Sequence, residues 1–260
     1  MTDMTAGSSQ RSVDFSDAPW PMVRKTLEFT GWIVMAVLLF TGITSVFGRA
    51  DFLLTMTAEP IANPEEVMNP FDIRYFQHYI ATWLHLGPGL LIFCIGPLQF
   101  MRVVRKKYLN FHRWAGRTYL VCGGIGALSG GFIGIFYPFA GIDGPGFSES
   151  MATLFLSIYT LVCLYKAYTT IRRKEFGAHR EWMIRSFGLM LAIATERVIL
   201  GILMSSTGIG IEVLFSATFW MAGVINITAS EIWISLTRTP GNGALHWKDA
   251  DARAAKAAAS

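Results

Sequence analysis

Residues 186–208 read SFGLMLAIATERVILGILMSSTG, and this stretch decides how the chain folds. It is apolar and long enough to cross a bilayer, which takes about 20 helical residues, yet Glu196 and Arg197 lie side by side at its middle. Charges at membrane depth are costly and normally face a protein interior or a wet cavity. Neighbouring residues on a helix do not face each other. We therefore expect each of the two to find a partner on another helix of a membrane bundle.

The composition of the whole chain also indicates a membrane protein. Hydrophobic residues make up 52% of the 260 residues and charged residues 15%, against about 25% charged in soluble domains. The other apolar runs that reach or approach a membrane-spanning length are 29–47, 79–100, 118–141, 151–168 and 211–236. The sequence therefore predicts an all-α bundle of six transmembrane helices within residues 29–237. A cytoplasmic segment, 1–28, precedes it, and a disordered cytoplasmic tail, 238–260, follows it.

Basic residues are unevenly distributed between the two sides of such a bundle. With the N-terminus inside, nineteen of the 22 Lys and Arg fall on the inner side, and only Arg49 and Arg74 on the outer side. Because cytoplasmic loops carry the basic excess, the pattern predicts both termini in the cytoplasm, with the protein in the inner (cytoplasmic) membrane. The expected partner is anionic lipid at the cytoplasmic face and not nucleic acid. The outer loop 48–76 contains three prolines and is expected to be an irregular cover.

A repeated block lies on the inner side. One copy leads from an Arg-Lys-Lys triplet at 105–107 to HRWAGRTY at 112–119, and the other from Arg-Arg-Lys at 172–174 to HREWMIRSF at 179–187. The repeat suggests that the second-to-third and fourth-to-fifth spans are related hairpins, with equivalent residues around an axis along the membrane normal. Lipid-interface anchoring explains the Trp and Arg residues, but not a histidine at the same place in both copies. The candidate ligand-binding residues of this face are His112, Arg113, Arg117, His179, Arg180 and Arg185.

The second span carries two prolines and a histidine. Pro88 and Pro97 each deprive a preceding carbonyl of its helical partner, which predicts a bend. Counting about 1.5 Å per residue, His85 lies about 10 Å and Arg197 about 15 Å below the outer boundary. We expect His85, Glu196 and Arg197 to form one buried cluster, with His85 and Arg197 within about 6 Å, a water-bridged distance.

The remaining features concern packing. The third span has two seams of small residues, Gly126-x3-Gly130-x3-Gly134 and Gly123-x3-Ala127-x3-Gly131. Such seams favour close helix packing. The alternative is that they leave room for a flat cofactor. Glu231 in the sixth span is expected to form a structural ion pair with Arg117 or Arg185. The three cysteines lack metal-like spacing, so no metal site is predicted. No hydrolase, phosphate-loop or metalloprotease motif is present, and whether the protein is an enzyme stays open.

Together these residues resemble a bacterial family of predicted multi-helix membrane proteins catalogued as a domain of unknown function. The resemblance runs from about His78 to Trp233, and its specific part is the two His-Arg blocks. It also includes His85, Gly96-Pro97-x-Gln99-Phe100, Arg197 and the series Trp220, Asn226, Glu231. The resemblance implies a multi-helix bacterial membrane protein and no activity. The chain is only loosely similar to ascorbate-reducing two-haem cytochrome b proteins, because its fourth span has no histidine.

Two functional classes remain. In the first, the protein binds or translocates a small anionic ligand, a lipid or protons; Arg197 holds the anion, and His85 and Glu196 relay charge. In the second, it is a redox protein with haem b, whose axial ligands come from His112, His179 and His85 and whose propionates pair with Arg113 and Arg180. We favour the first class because the basic residues of the inner face exceed what haem propionates require. Whether the protein forms oligomers stays open.

Overall fold

The computed structural model describes residues 20–58, 68–139, 146–237 and 258. The chain divides into two units, residues 1–37 and 38–260. In the first unit, the described residues belong to helix α1 (Trp20–Ala58), which continues into the second. The predicted cytoplasmic segment up to residue 19, and the predicted tail apart from residue 258, lie outside the described residues.

The described residues form helices and no strands. After α1 follow α2 (Pro70–Gln77), α3 (Tyr79–Phe100), α4 (Arg102–Lys107), α5 (Leu109–Phe136), α6 (Phe147–Arg172), α7 (Phe176–Met190), α8 (Ala192–Thr207) and α9 (Ile211–Thr237). Six helical segments are long and apolar enough to cross a membrane: one within α1, then α3, α5 and α6, the combined segment Phe176–Thr207, and α9. The predicted all-α membrane bundle with six spans is confirmed.

Several helices extend beyond the apolar runs that predicted them. The second span coincides with α3, but α5 begins at Leu109 and α7 at Phe176, so both His-Arg blocks lie inside helices. A helix satisfies its own backbone hydrogen bonds, so it need not stop where the apolar residues stop. Hydropathy therefore locates the spans but underestimates their length.

Most described residues of the segment 48–76 are helical, which differs from the irregular cover predicted for it. Helix α1 continues to Ala58, and α2 occupies Pro70–Gln77. Helix α2 begins here because the side-chain oxygen of Asn69 accepts a hydrogen bond from the backbone N–H of Asp72 at 2.9 Å, and Pro70 stands at the first helical position. Residues 59–67, which include the other two prolines, lie outside the described residues.

The helix of the fifth span is interrupted, and the interruption does not lie at a proline. Helix α3 runs through Pro88 and Pro97 without interruption. Between α7 and α8, the backbone N–H of Leu191 donates to the carbonyls of both Phe187, at 3.1 Å, and Gly188, at 3.2 Å. This shared bond tightens one turn and separates the half of the span that carries the His-Arg block from the half that carries Glu196 and Arg197.

Small residues let the helices of the second unit approach closely. A β-carbon added to Gly134 of α5 would lie 2.6 Å from the hydroxyl oxygen of Thr153 on α6, and one added to Gly96 of α3 would lie 2.5 Å from the Phe187 ring on α7. Helix α5 packs between α3 and α6, while α9 packs against α6, α7 and α8. The packing expected of small residues brings these helices around a common interior.

Candidate functional site

A cavity of about 590 Å³ lies among the helices of the second unit. Its wall includes residues of α1 from Gly42 onward, and of α2, α3, α5, α6, α7, α8 and α9. Along α5 the wall runs from Gly123 to Gly134, which is about 16 Å at 1.5 Å per residue. All six small residues of the two predicted seams line the cavity. The seams therefore leave an open space as well as allowing close packing.

Charged side chains gather at one end of the cavity, which we call the arginine end. It is formed by Arg49, Asp72, Arg74, Tyr75, Glu149 and Arg197. Arg49 forms an ion pair with Asp72. Arg74 is only 5% exposed; it donates to Glu149 at 2.5 Å, to the carbonyl of Tyr137 at 3.2 Å and to the hydroxyl of Tyr75 at 3.0 Å. Two of the three arginines are thus held by carboxylates.

Arg74 keeps its charge although it is buried. Burial acts to lower the pKa of the guanidinium, but Tyr75 and Glu149 beside it outweigh this effect, and the pKa is raised above its ordinary value. Since an arginine is already protonated at any ordinary pH, Arg74 is a permanent cation at the arginine end.

The guanidinium groups of Arg49, Arg74 and Arg197 all lie near one aromatic ring, that of Phe71. The centroid of the buried Phe71 ring lies 5.3 Å from the guanidinium carbon of Arg49, 5.0 Å from that of Arg74 and 5.5 Å from that of Arg197. Cations within about 6 Å of an aromatic centroid are attracted to the negative face of the ring. Phe71 is therefore a platform that gathers three cations from separate helices.

Arg197 differs from the other two arginines in its partners. Its nearest carboxylate oxygen belongs to Glu196, at 3.4 Å, and among the described residues its guanidinium makes no hydrogen bond. Its side chain is 25% exposed and lines the cavity. A guanidinium carries five N–H donors, so Arg197 offers unused donors to the cavity.

Glu196 is buried beside Arg197 and against helix α9. Its side chain has 0% exposure, and one carboxylate oxygen accepts from the hydroxyl of Thr218 on α9 at 3.3 Å. It is not part of the cavity wall, whereas His85 and Arg197 are. Of the residues predicted to form one cluster, His85 and Arg197 line the same cavity, whereas Glu196 is buried between Arg197 and Thr218 of α9.

His85 is oriented by the backbone of α5. Its Nδ1 lies 2.9 Å from the carbonyl oxygen of Gly126, and a carbonyl only accepts, so Nδ1 carries the proton. In the neutral ring the Nε2 lone pair is then available on a side chain that lines the cavity. Gly130 leaves room for the ring, because an added β-carbon would lie 2.6 Å from Cε1.

The two histidines of the repeated block have different surroundings. His179 donates from Nδ1 to the carbonyl of Ala167 at 2.8 Å. Nδ1 of His112 is buried and has no hydrogen-bond partner within the described ranges. The two side chains are close enough for their charges to interact, but neither lines the cavity.

The arginines of the block are divided between surface and interior. Arg113 and Arg117 are exposed. Arg180 donates to the hydroxyl of Thr237 at 2.5 Å, and Arg185 forms two bonds to Glu231, at 2.6 and 2.9 Å. The ion pair expected for Glu231 is confirmed, with Arg185 as the partner. Arg180 and Arg185 thus connect α7 to α9.

A family model described as a predicted membrane protein, DUF2306, matches residues 82–234, which is more than half of the chain. The chain belongs to this family. The predicted resemblance to a family of membrane proteins of unknown function is confirmed over residues 82–234. Comparison with curated proteins and with solved structures gave no significant match.

The region matched to DUF2306 contains only part of the arginine end. Glu149 and Arg197 lie within it, while Arg49, Asp72, Arg74 and Tyr75 precede it. Sequence reasoning did not assign Arg49 or Arg74 to a site, although a signal was present. They are the two basic residues that the charge pattern assigns to the side otherwise poor in Lys and Arg.

The titratable side chains do not form an evident metal site. Across 20–58, 68–139 and 146–237, no three or more His, Cys, Asp or Glu residues are grouped so that they could hold a metal ion. What the cavity offers chemically is a set of cations at one end, a glycine-lined apolar body and one imidazole.

Proposed function

We propose that this membrane protein binds an amphiphilic anion, whose charged head lies against Arg197 at the arginine end and whose apolar body occupies the glycine-lined part of the cavity. The observation that carries the proposal is the guanidinium of Arg197, which lines the cavity and has unused donors. Arginine is the side chain best suited to hold a planar oxyanion, because its donors form a fixed fork.

The size and lining of the cavity support a small-molecule ligand. Its volume of about 590 Å³ lies within the range of about 300–1,000 Å³ that is typical of such sites. Beyond the arginine end the wall is mostly glycine, alanine, leucine and phenylalanine. A ligand that fits both parts has a charged head and an elongated or flat body.

We further propose that the protein lies in a bacterial inner membrane. The arginine end faces the periplasm, and the side that carries the two His-Arg blocks faces the cytoplasm. The support is the distribution of Lys and Arg, of which nineteen of 22 fall on one side. The exposed Lys106, Lys107, Arg113 and Arg117 are then placed to contact anionic lipid headgroups.

Haem b is the second candidate ligand, favoured by His85. A histidine whose Nδ1–H is held by a backbone carbonyl presents Nε2 in a fixed direction, as in many metal-ligating histidines. Met190 lines the same cavity, and a methionine serves with histidine as an axial pair in some cytochromes. Carboxylate heads at the arginine end are common to both candidates, since haem carries two propionates.

Thermal unfolding in one detergent tests the main proposal, with decanesulfonate as the probe and decanol and decylammonium as its neutral and cationic counterparts. Ligand binding raises the melting temperature by mass action. We expect decanesulfonate alone to stabilise the wild type, Arg197→Gln to lose this effect, and Arg172→Gln, at an exposed arginine away from the cavity, to keep it. Equal responses of the wild type and Arg197→Gln would contradict the proposal, because partition into the micelle is the same for both.

An absorption spectrum of the same protein separates the two candidates. Haem ligation by His85 gives a Soret band that His85→Ala removes or shifts. A colourless protein that decanesulfonate stabilises supports the amphiphilic anion.

A further inference from the structure

Glu196 is a buried carboxylate with incomplete partners. One oxygen accepts a hydrogen bond from Thr218 at 3.3 Å, and the other lies 3.4 Å from a guanidinium nitrogen of Arg197 and has no hydrogen-bond partner among the described residues. The neighbouring hydroxyl of Thr195 is also buried and, within the same ranges, lacks a partner. A buried anion with so few hydrogen bonds depends on its counter-ion.

Of the charged side chains that face Glu196, Arg197 is the one that can act as its counter-ion. Arg197 is on the same helix, Arg74 approaches from α2 and Glu149 from α6, whereas α9 presents the uncharged Thr218. Arg74 and Glu149 form an ion pair with each other, so their charges largely cancel. The stability of the Glu196 anion therefore rests on one guanidinium, and that guanidinium also lines the cavity.

Binding of an anion at Arg197 changes this balance. The guanidinium then has two anions to neutralise, one in the cavity and the carboxylate of Glu196, and the other cation that faces Glu196, Arg74, is already paired with Glu149. A buried carboxylate in this position lowers its energy by taking up a proton.

We propose that Glu196 takes up one proton when an anion binds to Arg197. The bound anion then replaces the ionised carboxylate of Glu196 as the partner of the guanidinium, and the net buried charge of the site does not change. The inference rests on the proposed function, and it adds that binding is coupled to the proton concentration. Because a proton is taken up, a lower pH favours binding; full coupling to one proton changes the dissociation constant about tenfold per pH unit.

Proton uptake is measured directly with a pH indicator in weakly buffered detergent solution while decanesulfonate is added to the full-length protein. The probe is suitable because its sulfonate stays ionised over the whole pH range, so every proton taken up belongs to the protein. We expect up to one proton per bound probe for the wild type and none for Glu196→Gln. The glutamine can keep the bond to Thr218 but needs no counter-ion, so Glu196→Gln should bind the probe at least as tightly as the wild type and independently of pH.

The outcomes distinguish the inference from the function on which it rests. Binding to the wild type without proton uptake overturns the inference and leaves the anion site standing. Uptake that persists in Glu196→Gln and disappears in His85→Gln assigns the proton to the imidazole in the cavity and also overturns it. Absence of any binding overturns both. The uptake by the wild type decides the question even if Glu196→Gln does not fold.

Discussion

The guanidinium carbon of Arg197 lies 5.5 Å from the centre of the Phe71 ring, and those of Arg49 and Arg74 lie 5.3 and 5.0 Å from the same centre. Three cations from three helices thus share one aromatic side chain that is 7% exposed. Since like charges repel, this arrangement needs both the ring and the carboxylates of Asp72, Glu149 and Glu196. The stability of this end and its ability to hold an anion depend on the same contacts.

Replacement of Phe71 by leucine tests the platform. Leucine keeps much of the apolar volume but loses the attraction of the ring for three cations, each worth about 0.5–2 kcal/mol. We expect Phe71→Leu to destabilise the protein by about 1–3 kcal/mol and to weaken stabilisation by decanesulfonate. Phe40→Leu is the matched control, because Phe40 is 71% exposed. Equal melting temperatures for the two variants would contradict the role of the ring.

The buried pair of Arg74 and Glu149 should behave as a unit in a double-mutant cycle. Arg74→Met leaves the carboxylate of Glu149 buried without its guanidinium, and such a change costs about 3–5 kcal/mol. We expect the double variant Arg74→Met with Glu149→Gln to be more stable than Arg74→Met alone, since no unpaired charge remains. Denaturation midpoints of the four proteins measure the coupling; additive effects would show that the pair is not coupled.

An alanine at Gly130 should disturb His85. Its β-carbon would lie 2.6 Å from the imidazole, so the ring must move, at a cost of about 1–3 kcal/mol typical of an overfilled site. Gly124→Ala is the matched control on the same helix, because nothing lies within 4 Å of its added β-carbon. Helix propensity alone should make this control up to about 1 kcal/mol more stable. Thermal unfolding that places Gly130→Ala at or above Gly124→Ala would exclude the expected clash.

The orientation of the bundle can be tested with single cysteines at two exposed positions, Gln77 at the end of α2 and Lys106 in α4, after the native cysteines are replaced. We expect a membrane-impermeant maleimide to label Gln77→Cys in intact cells and Lys106→Cys only in permeabilised cells. A reporter fused at Gly243 should behave as cytoplasmic. The reverse labelling pattern would invert the topology inferred from the basic residues.

The spans could be predicted because their signal is local. The free energy of transferring a helix into lipid is a sum over neighbouring residues, and α3 accordingly has the bounds that its apolar run predicts. Helix α2 was missed for a different reason. Its signal, Asn69 and Pro70 followed by Asp72, is a capping pattern that hydropathy does not detect.

The candidate site could be predicted only in part because its residues are distant in sequence. Arg197 could be identified as a candidate because it lies deep in an apolar span, but no local sequence pattern connects it to Arg49 or to Arg74. Their convergence depends on how the helices pack around Phe71. In the same way, the predicted cluster placed Glu196 in one centre with His85 and Arg197, whereas adjacent residues of a helix point about 100° apart and Glu196 is buried against Thr218 of α9.

Among the glycines of the α5 wall, Gly126 borders open space, because nothing lies within 4 Å of a β-carbon added there. At Gly123, Gly130, Gly131 and Gly134 an added β-carbon would instead meet a side chain of a neighbouring helix. A side chain at position 126 therefore narrows the free space without displacing a neighbour. Proteins of the same family that accommodate slimmer molecules should carry a larger residue there and those that accommodate bulkier molecules a glycine, so that this one position acts as a gauge of ligand thickness.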